Sequence, residues 1–211
     1  MSQKRILLTG ATDGIGLETA RRLASLGHQL LLHGRSRSKL DCVESDLRTE
    51  FNGSVNEGYV ADLSDLSAVK KLAGEVRSKH ESIDVLINNA GVFMTPTPRT
   101  RDGLDVRFVV NSVSPYLLTQ QLLPIIPSDG RVINLSSAAQ SRVDLLALSG
   151  KVRVGDSEAY AQSKLAITMW TRSMAESLGS NAPVIVAVNP GSFLNSKMVQ
   201  QAYGRPGKDL G

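Results

Sequence analysis

Tyr160 and Lys164 are the two side chains whose types and spacing are most suggestive of chemistry. If the segment between them is helical, the two residues project from one face of the helix. A phenol with a reference pKa of about 10 is a poor proton shuttle at neutral pH, but a nearby ammonium favours the phenolate. Tyr160 then exchanges a proton with a substrate hydroxyl or carbonyl oxygen. Taken alone, a Tyr and a Lys four residues apart on a helix usually only pack against neighbours or face solvent. The rest of the chain must therefore decide whether this pair is catalytic.

Composition excludes several classes of protein. The 211 residues are enough for one well-buried domain, 41% are apolar and 21% are charged. The net charge of +4 is small and scattered, so we expect no nucleic-acid partner. The single cysteine, Cys42, fits a reducing compartment and is interpreted as a small residue packed on a helix. No apolar run reaches the roughly 18 residues of a membrane span, which predicts a cytoplasmic protein without a membrane span.

The elements that must position the pair alternate between strand and helix. Apolar, β-branched runs predict strands at 5–8, 29–32, 56–60, 83–87, 131–135 and 184–188. Helices are expected between them: one ends at Gly27, one has Ser64 as its N-cap, a long one covers about 103–123 with interruptions near Asn111 and Pro115, and one covers about 157–178. Loops are expected at 92–102 and 138–156. This order predicts an α/β fold, a doubly wound parallel sheet in three αβα layers and a single domain over 1–211.

A glycine-rich turn follows the first strand. Gly10, Gly14 and Gly16 stand between that strand and a helix N-terminus, where glycines let the backbone turn tightly and approach a pyrophosphate. The spacing of three residues and then one differs from the usual dinucleotide fingerprint. A turn without a ligand is the alternative. The residues of this turn that we predict to bind a cofactor are Gly10, Thr12, Asp13, Gly14, Ile15 and Gly16.

The end of the second strand indicates which dinucleotide binds. His33-Gly34-Arg35 stands where an NAD-binding protein often has a carboxylate for the ribose hydroxyls. A small residue followed by a guanidinium suits a 2′-phosphate instead, so we predict that NADP(H) is preferred over NAD(H) through Arg35. Arg37 and Lys39 either assist or face water.

Further motifs fall at the ends of later strands, where ligands bind in open α/β sheets. Asp62 could accept a hydrogen bond from an adenine amine, or it caps a helix. Asn88-Asn89-Ala90-Gly91 provides small residues where the chain passes close to a cofactor, and Asn89 is alternatively a tie between strands. Ser137 could bond a substrate oxygen, although serines at strand ends are usually turn residues.

Together these motifs resemble the short-chain dehydrogenase/reductase family. The chain has Thr9-Gly10-x-x-x-Gly14-x-Gly16, Asn88-Asn-Ala-Gly91, Asn111 within a helix, Ser137, Tyr160-x-x-x-Lys164 and Asn189-Pro190-Gly191, in the family's order and over essentially the whole chain. The wording around Tyr160 is similar to the retinol-dehydrogenase-like and WW-domain-oxidoreductase-like branch. The resemblance implies a Rossmann-type fold.

The resemblance also implies roles for individual residues. Tyr160 is the acid/base, and Lys164 lowers its pKa and binds the nicotinamide ribose. Ser137, chosen over Ser136 because the family's serine is usually the second of such a pair, orients the substrate carbonyl. Asn111 holds a water that links Lys164 to solvent. The remaining cofactor-binding residues expected from the motifs are Asp62, Leu63, Asn88, Ala90, Gly91, Pro190 and Gly191; no metal site is expected.

Three features depart from the family pattern. The family usually has a seventh strand, so either the chain is incomplete or one sheet edge and part of the pocket are missing. The threonine that meets the nicotinamide amide after Pro-Gly has no clear match, and Asn195 or Ser196 would replace it. The Ser137–Tyr160 segment is longer than in most members.

The sequence therefore predicts an NADP(H)-dependent oxidoreductase that interconverts a carbonyl and an alcohol. The alternative is a non-catalytic dinucleotide-binding redox sensor on the same fold, although such a sensor need not keep Tyr160. The partner is a small carbonyl or alcohol substrate. Apolar residues in the helices at about 103–123 and 157–178 predict a homodimer or homotetramer.

Overall fold

Six parallel strands form the sheet around which the protein is built. The computed structural model describes residues 2–51 and 55–191. The strands are β1 (Arg5–Thr9), β2 (Gln29–Gly34), β3 (Val55–Val60), β4 (Val85–Asn88), β5 (Arg131–Leu135) and β6 (Val184–Val188). Their order across the sheet is β3-β2-β1-β4-β5-β6. This is the strand order of the Rossmann fold, which confirms the predicted doubly wound α/β class.

Helices connect the strands and cover both faces of the sheet. They are α1 (Gly14–Ser25), α2 (Arg37–Glu50), α3 (Leu66–Lys79), α4 (Val106–Phe108), α5 (Ser114–Leu122), α6 (Leu145–Leu148) and α7 (Asp156–Leu178). A π-helical segment, Val109–Val113, joins α4 to α5, and a 3₁₀ turn, Leu123–Ile125, follows α5.

Two apolar cores separate the layers, because successive side chains of a strand point to opposite faces. Ile6 and Leu8 of β1 pack with residues of α1 and α2 in one core. Leu7, between them, belongs to the other core, which includes residues of α3, α5 and α7. The central strands β1, β2 and β4 therefore carry continuous apolar runs, as expected for the part of a parallel sheet that is buried on both sides.

Most element boundaries agree with the sequence, and the differences arise from capping and turns. Gly27 has a φ of 77° just after α1, as predicted for the end of that helix. The N-cap of α3 is Asp65 and not Ser64, because the Asp65 carboxylate accepts from the backbone N–H groups of Ser67 and Ala68.

The later segments differ more from prediction. The long helix starts at Val106, because Asp105 caps it, and Pro115 lies in the first turn of α5, where proline is tolerated. The segment expected to be a loop at 138–156 contains α6. Cys42 is exposed on α2 and is not packed as expected. The absent seventh strand and the candidates Asn195 and Ser196 concern residues outside those that the structure describes.

Candidate active site

A cleft of about 730 Å³ runs along the carboxyl edge of the sheet, within the range of about 300–1,000 Å³ typical of ligand sites. Its lining begins at the turn after β1 and extends to the helix that carries Tyr160. The residues predicted to form the site that line it are Gly10, Thr12, Asp13, Gly14, Ile15, Gly16, Arg35, Asp62, Leu63, Ala90, Gly91, Tyr160, Lys164 and Pro190. Asn88, Asn111, Ser137 and Gly191 are outside this lining.

The glycine-rich turn owes its shape to the absence of side chains. Gly10 has a φ of 68°, a backbone conformation that residues with a Cβ rarely adopt. A Cβ on Gly16 would lie 2.0 Å from the carbonyl oxygen of Gly10, so only glycine lets α1 pack this closely on the turn. The Asp13 carboxylate caps α1 by accepting from the Gly14 N–H. The first residues of α1 thus line the cleft with the positive end of the helix dipole.

His33 braces the ends of three neighbouring strands. It is buried, its Nδ1 accepts from the Gly10 N–H at 3.3 Å, and its Nε2 lies 3.0 Å from the carbonyl oxygen of Ala61. Because Nδ1 accepts, Nε2 carries the proton and donates to Ala61, which requires the neutral ring. Burial lowers the pKa of His33 to about 4, so the ring is neutral near pH 7.

The Arg35 end of the cleft is basic and polar. Arg35 is exposed and lines the cleft with Ser36 and Lys39. Arg37 turns elsewhere: its guanidinium pairs with Asp41 at 3.3 Å and donates to the carbonyl oxygen of Gly58 at 3.2 Å. Of the two flanking cations, Lys39 is therefore the one at the cleft.

Asp62 and Leu63 follow β3 and border the same end of the cleft. Leu63 is buried, whereas Asp62 is exposed and its Oδ1 accepts from the Ser64 N–H at 2.9 Å. This contact accounts for one oxygen of Asp62 and is a local turn contact; the cap of the following helix is Asp65 and not Asp62.

The two asparagines at the end of β4 have different surroundings. The Asn89 side chain donates to the carbonyl oxygens of Thr9 and Gly10, at 2.9 and 3.1 Å, and so is the strand tie considered above. Asn88 is buried and its Nδ2 donates to Thr119 and Asn134 in the interior. The Asn88 side chain thus lies away from the cleft, where Ala90 and Gly91 form the lining.

Tyr160 and Lys164 meet at the far end of the cleft. Both lie on α7, and the Lys164 ammonium is 5.7 Å from the centroid of the Tyr160 ring. Lys164 is buried and donates to the carbonyl oxygen of Leu135 at 2.7 Å. Burial lowers the pKa of Lys164 to about 8. The Phe93 ring packs edge-on against Tyr160, with 5.2 Å between ring centroids.

Asn111 sits in the π-helical segment and braces the loop after β4. Its Oδ1 accepts from the Val92 N–H at 2.8 Å, and its Nδ2 donates to the Val92 carbonyl at 2.9 Å and to Ser163 at 3.0 Å. The π-helical turn accounts for the interruption that the sequence predicted near Asn111. Such bulges often occur at functional positions. Asn111 therefore connects the loop after β4 with the residue adjacent to Lys164.

The two serines after β5 differ in position. Ser136 is buried, lines the cleft and donates to the carbonyl oxygen of Lys164 at 3.0 Å. Ser137, the predicted catalytic serine, is half-buried, and its hydroxyl accepts from the Ala139 N–H at 3.2 Å. Sequence alone did not indicate that Ser136 would be the serine on the cleft lining.

The last predicted residues follow β6. Pro190 lines the cleft, and Gly191, with a φ of 106°, donates its N–H to Asn189 at 3.3 Å. Several lining residues escaped the sequence interpretation because they are apolar or internal: Val92, Phe93, Met94, Val110, Leu135 and Ser136. The available signal was their position at the end of a predicted strand, in the loop that follows the Asn88-Asn-Ala-Gly91 motif, or within the Asn111 helix.

The chemistry of the lining residues fits a dinucleotide that carries an additional phosphate. A glycine turn at a helix N-terminus suits a pyrophosphate, and Arg35 with Lys39 suits a further phosphate. The buried Lys164 ammonium suits ribose hydroxyls, because one ammonium carries three N–H donors. The opposite end, with Tyr160 and Phe93, has the apolar and polar mixture of a substrate site.

Comparison with known proteins identifies the family. A family model described as short chain dehydrogenase matches residues 4–205. Human retinol dehydrogenase 13 is 36% identical over 194 residues, which are 89% of this chain and 58% of the relative. Human polyprenol dehydrogenase is 33% identical over 195 residues, 88% of this chain and 59% of the relative. The chain thus spans less than two thirds of the length of these two relatives.

A solved structure agrees with these relatives. A metagenomic short-chain oxidoreductase in complex with NADP superposes with a TM-score of 0.73 at 34% identity, covering 91% of this chain and 84% of that chain. The chain belongs to the short-chain dehydrogenase family, in its retinol-dehydrogenase-like branch. The dehydrogenase names agree with the predicted class of oxidoreductase acting on CH–OH groups.

Across residues 2–51 and 55–191, none of the helices combines the length and apolar character needed to cross a membrane.

Proposed function

We propose that this protein is an NADP(H)-dependent oxidoreductase that interconverts a carbonyl and an alcohol, with Tyr160 as the acid/base. The observation that carries the proposal is the position of the Lys164 ammonium. It is buried and lies 5.7 Å from the centroid of the Tyr160 ring, at the end of a cleft that begins at the glycine-rich turn. NADP(H), when bound, supplies or accepts the hydride.

Lys164 stabilises negative charge at the Tyr160 oxygen. Because its pKa is lowered only to about 8, the lysine remains mostly protonated near pH 7 despite its burial. Its charge favours the phenolate, so Tyr160 can give up a proton to a carbonyl oxygen during reduction and take one from a hydroxyl during oxidation. Above about pH 8 the Lys164 charge is lost, so we expect its stabilisation of the Tyr160 phenolate to decrease.

The remaining residues orient the reacting groups. Ser137 is proposed to hold the substrate oxygen, and Ser136 on the cleft lining fixes the backbone of Lys164. Asn111 is proposed to hold a water that connects Lys164 with solvent, and its contacts with Val92 and Ser163 support its position beside α7. Asn88, which the sequence placed among the cofactor-binding residues, has its side chain in the interior, where it ties β4 to β5 through Asn134.

Arg35 is proposed to select NADP(H) over NAD(H). It is exposed at the cleft, beside Ser36 and Lys39, where a 2′-phosphate would find a guanidinium and an ammonium. The NADP complex of the metagenomic relative supports the same choice. At equal concentration NADPH should stabilise the protein against heat more than NADH, and Arg35→Asp should erase or reverse that difference. A better stabilisation by NADH would contradict the assignment.

Turnover of a substrate panel tests the activity. Oxidation of NADPH is followed with short and long aldehydes and ketones, with retinaldehyde included because of the retinol dehydrogenase relatives. Tyr160→Phe keeps the ring against Phe93 and removes only the hydroxyl, so turnover should fall by about 10²–10⁴-fold while NADPH binding persists.

The same experiment separates an enzyme from a redox sensor. A sensor would bind NADPH without turning over any compound of the panel, and its Tyr160→Phe variant would behave like the unmodified chain. An enzyme whose Tyr160→Phe variant keeps most of its turnover would use another group as the acid, which would refute the proposed mechanism.

A further inference from the structure

Arg107 is a charged side chain in the interior, close to the candidate site. It is 1% exposed, and it is the second residue of α4. A guanidinium so far from water must be paired and hydrogen-bonded to be tolerated. Its partners therefore show which parts of the chain its position depends on.

The Arg107 guanidinium contacts three separate segments. Its Nε and Nη2 donate to the two carboxylate oxygens of Asp105, at 2.8 and 2.6 Å. Its Nη1 donates to the carboxylate of Asp156, the first residue of α7, and lies 3.5 Å from the carbonyl oxygen of Phe93. The hydrogen bonds with Asp105 and Asp156 raise the pKa of Arg107, so the cation persists at every relevant pH.

Both outer contacts lead to Tyr160. Asp156 lies four residues before Tyr160, one helical turn away on the same helix. Phe93 packs its ring edge-on against the Tyr160 ring, at 71° and 5.2 Å between centroids. Arg107 thus holds the start of the helix that carries the phenol and the backbone of the residue that packs against it.

We propose that Arg107 is a positioning residue for Tyr160, acting through its hydrogen bond to Asp156. The inference rests on the proposed function, because it concerns the residue assigned as the acid/base. A rigid shell around a reacting group matters, since a displacement of about 1 Å can cost on the order of a hundredfold in rate. The bond fixes where α7 begins, and therefore where the Tyr160 hydroxyl meets the substrate.

Two substitutions of Asp156 give a matched test. Asp156→Ala and Asp156→Asn remove the same charge from the helix N-terminus, but only asparagine keeps an oxygen that can accept from Arg107. The Asp156 side chain is 50% exposed, so neither change creates a large cavity. We expect Asp156→Ala to lower kcat on the best aldehyde of the panel by about tenfold, and Asp156→Asn to restore most of it.

Separate measurements exclude a general structural loss. The dissociation constant of NADPH should change little in both variants, because the contacts of the cofactor end are untouched. The thermal midpoint should also change little, because Arg107 keeps both hydrogen bonds to Asp105. Glu176→Ala is the control: it breaks an exposed pair with Arg172, 2.7 Å apart on the same helix, and should leave kcat unchanged.

Several outcomes would overturn the inference. These are an unchanged kcat in Asp156→Ala, an equal loss in Asp156→Asn and Asp156→Ala, and a kcat that falls only together with NADPH affinity and thermal midpoint. Tyr160→Phe distinguishes such a result from failure of the proposed function. If Tyr160→Phe abolishes turnover and Asp156→Ala does not affect it, only the positioning role is wrong.

Discussion

His33 shows how one buried ring can set the geometry of a cofactor cleft. Its two nitrogens bond Gly10 after β1 and Ala61 after β3, and it stands near the end of β2 itself. The three strand ends that it joins lead to the glycine-rich turn, Arg35 and Asp62. Nδ1 can accept from Gly10 only while the ring is neutral, so protonation would replace a hydrogen bond with a repulsive contact.

The buried imidazole predicts a loss of stability in acid. Burial lowers the folded-state pKa of His33 to about 4, whereas the unfolded chain has the usual value near 6.5. Between these two values the unfolded chain binds more protons, so the free energy of unfolding must fall as pH falls. Between about pH 7 and pH 4.5, this residue should lower the free energy of unfolding by about 2–3 kcal/mol.

Urea unfolding at both pH values, on the unmodified chain and on His33→Gln, measures this contribution. Glutamine keeps a donor for Ala61 and cannot be protonated, so its loss in acid should be smaller by that amount. Nearby charges act in opposite directions, because Asp62 raises and Arg35 lowers the pKa of His33. An equal acid loss in both chains would refute the prediction.

At this scale the sequence identified residue types better than side-chain directions. Tyr160, Lys164 and Arg35 stand where their motifs predicted, because their spacing on one helix or at one strand end determines their position. Asn88 and Ser136 do not follow from a motif, because one residue along a strand end changes whether a side chain faces the cleft or the interior. His33 gave no signal, since its role depends on contacts with two other strands.

Helix α1 and the turn before it form one unit. The backbone of Gly16 lies against the carbonyl of Gly10, and the Asn89 amide lies over both. Neither the turn nor the start of α1 can move without the other, which makes the cleft floor rigid. Such rigidity suits a site whose donors are backbone N–H groups, because these donors cannot re-orient by side-chain rotation.

Gly16→Ala should therefore damage both stability and cofactor binding. The added Cβ meets backbone at 2.0 Å, so α1 must shift away from the turn, with a cost of about 1–3 kcal/mol. Gly74→Ala is the matched control, because a Cβ there meets nothing within 4 Å in the middle of α3. That change should stabilise by about 0.5–1 kcal/mol.

Thermal unfolding with and without NADPH reports both effects. Gly16→Ala should lower the midpoint and reduce the stabilisation by NADPH, whereas Gly74→Ala should raise the midpoint and leave that stabilisation intact. If Gly16→Ala bound NADPH as tightly as the unmodified chain, close packing of α1 on the turn would not be required for the site.

Among the elements, strands were easier to predict than irregular helices. Apolar runs marked the strands of the described sheet other than β3, because burial on both faces leaves a strong pattern. β3 has only Tyr59 and Val60 as such a run, after Asn56, Glu57 and Gly58. The π-helical segment Val109–Val113 was foreseen only as an interruption near Asn111, since one extra residue per turn leaves no pattern of its own. The short helix α6 depends on the Asp144 cap and was missed.

On the scale of the whole molecule, the candidate site is assembled from every strand of the described sheet. Residues after β1, β2 and β3 form the cofactor end, and those after β4, β5 and β6 form the end with Tyr160. The site therefore depends on strand order, which brings β1 and β4 together although two other strands separate them in sequence. This order explains how motifs far apart along the chain share one cleft.

The outer surface of α5 and α7 is less apolar than the sequence suggested. Leu118, Leu122 and Ile167, three of the residues expected to promote association, are buried. The large apolar residues of α5 and α7 that remain exposed are Met169 at 57%, Leu178 at 39% and Tyr116 at 37%. Tyr116 packs edge-on against Trp170, whose Nε1 is buried without a hydrogen-bond partner among the described residues.

We still expect association through this surface, because an aromatic pair beside an exposed methionine is a typical interface anchor. Light scattering at micromolar concentration should report a dimer or tetramer, and Met169→Glu should shift it toward monomer by burying a charge at the contact. Leu26→Glu is the control, since Leu26 is 49% exposed just after α1, away from α5 and α7, and its change should leave the mass unaltered. A monomer at every concentration tested, or equal dissociation by both substitutions, would contradict an interface on α5 and α7.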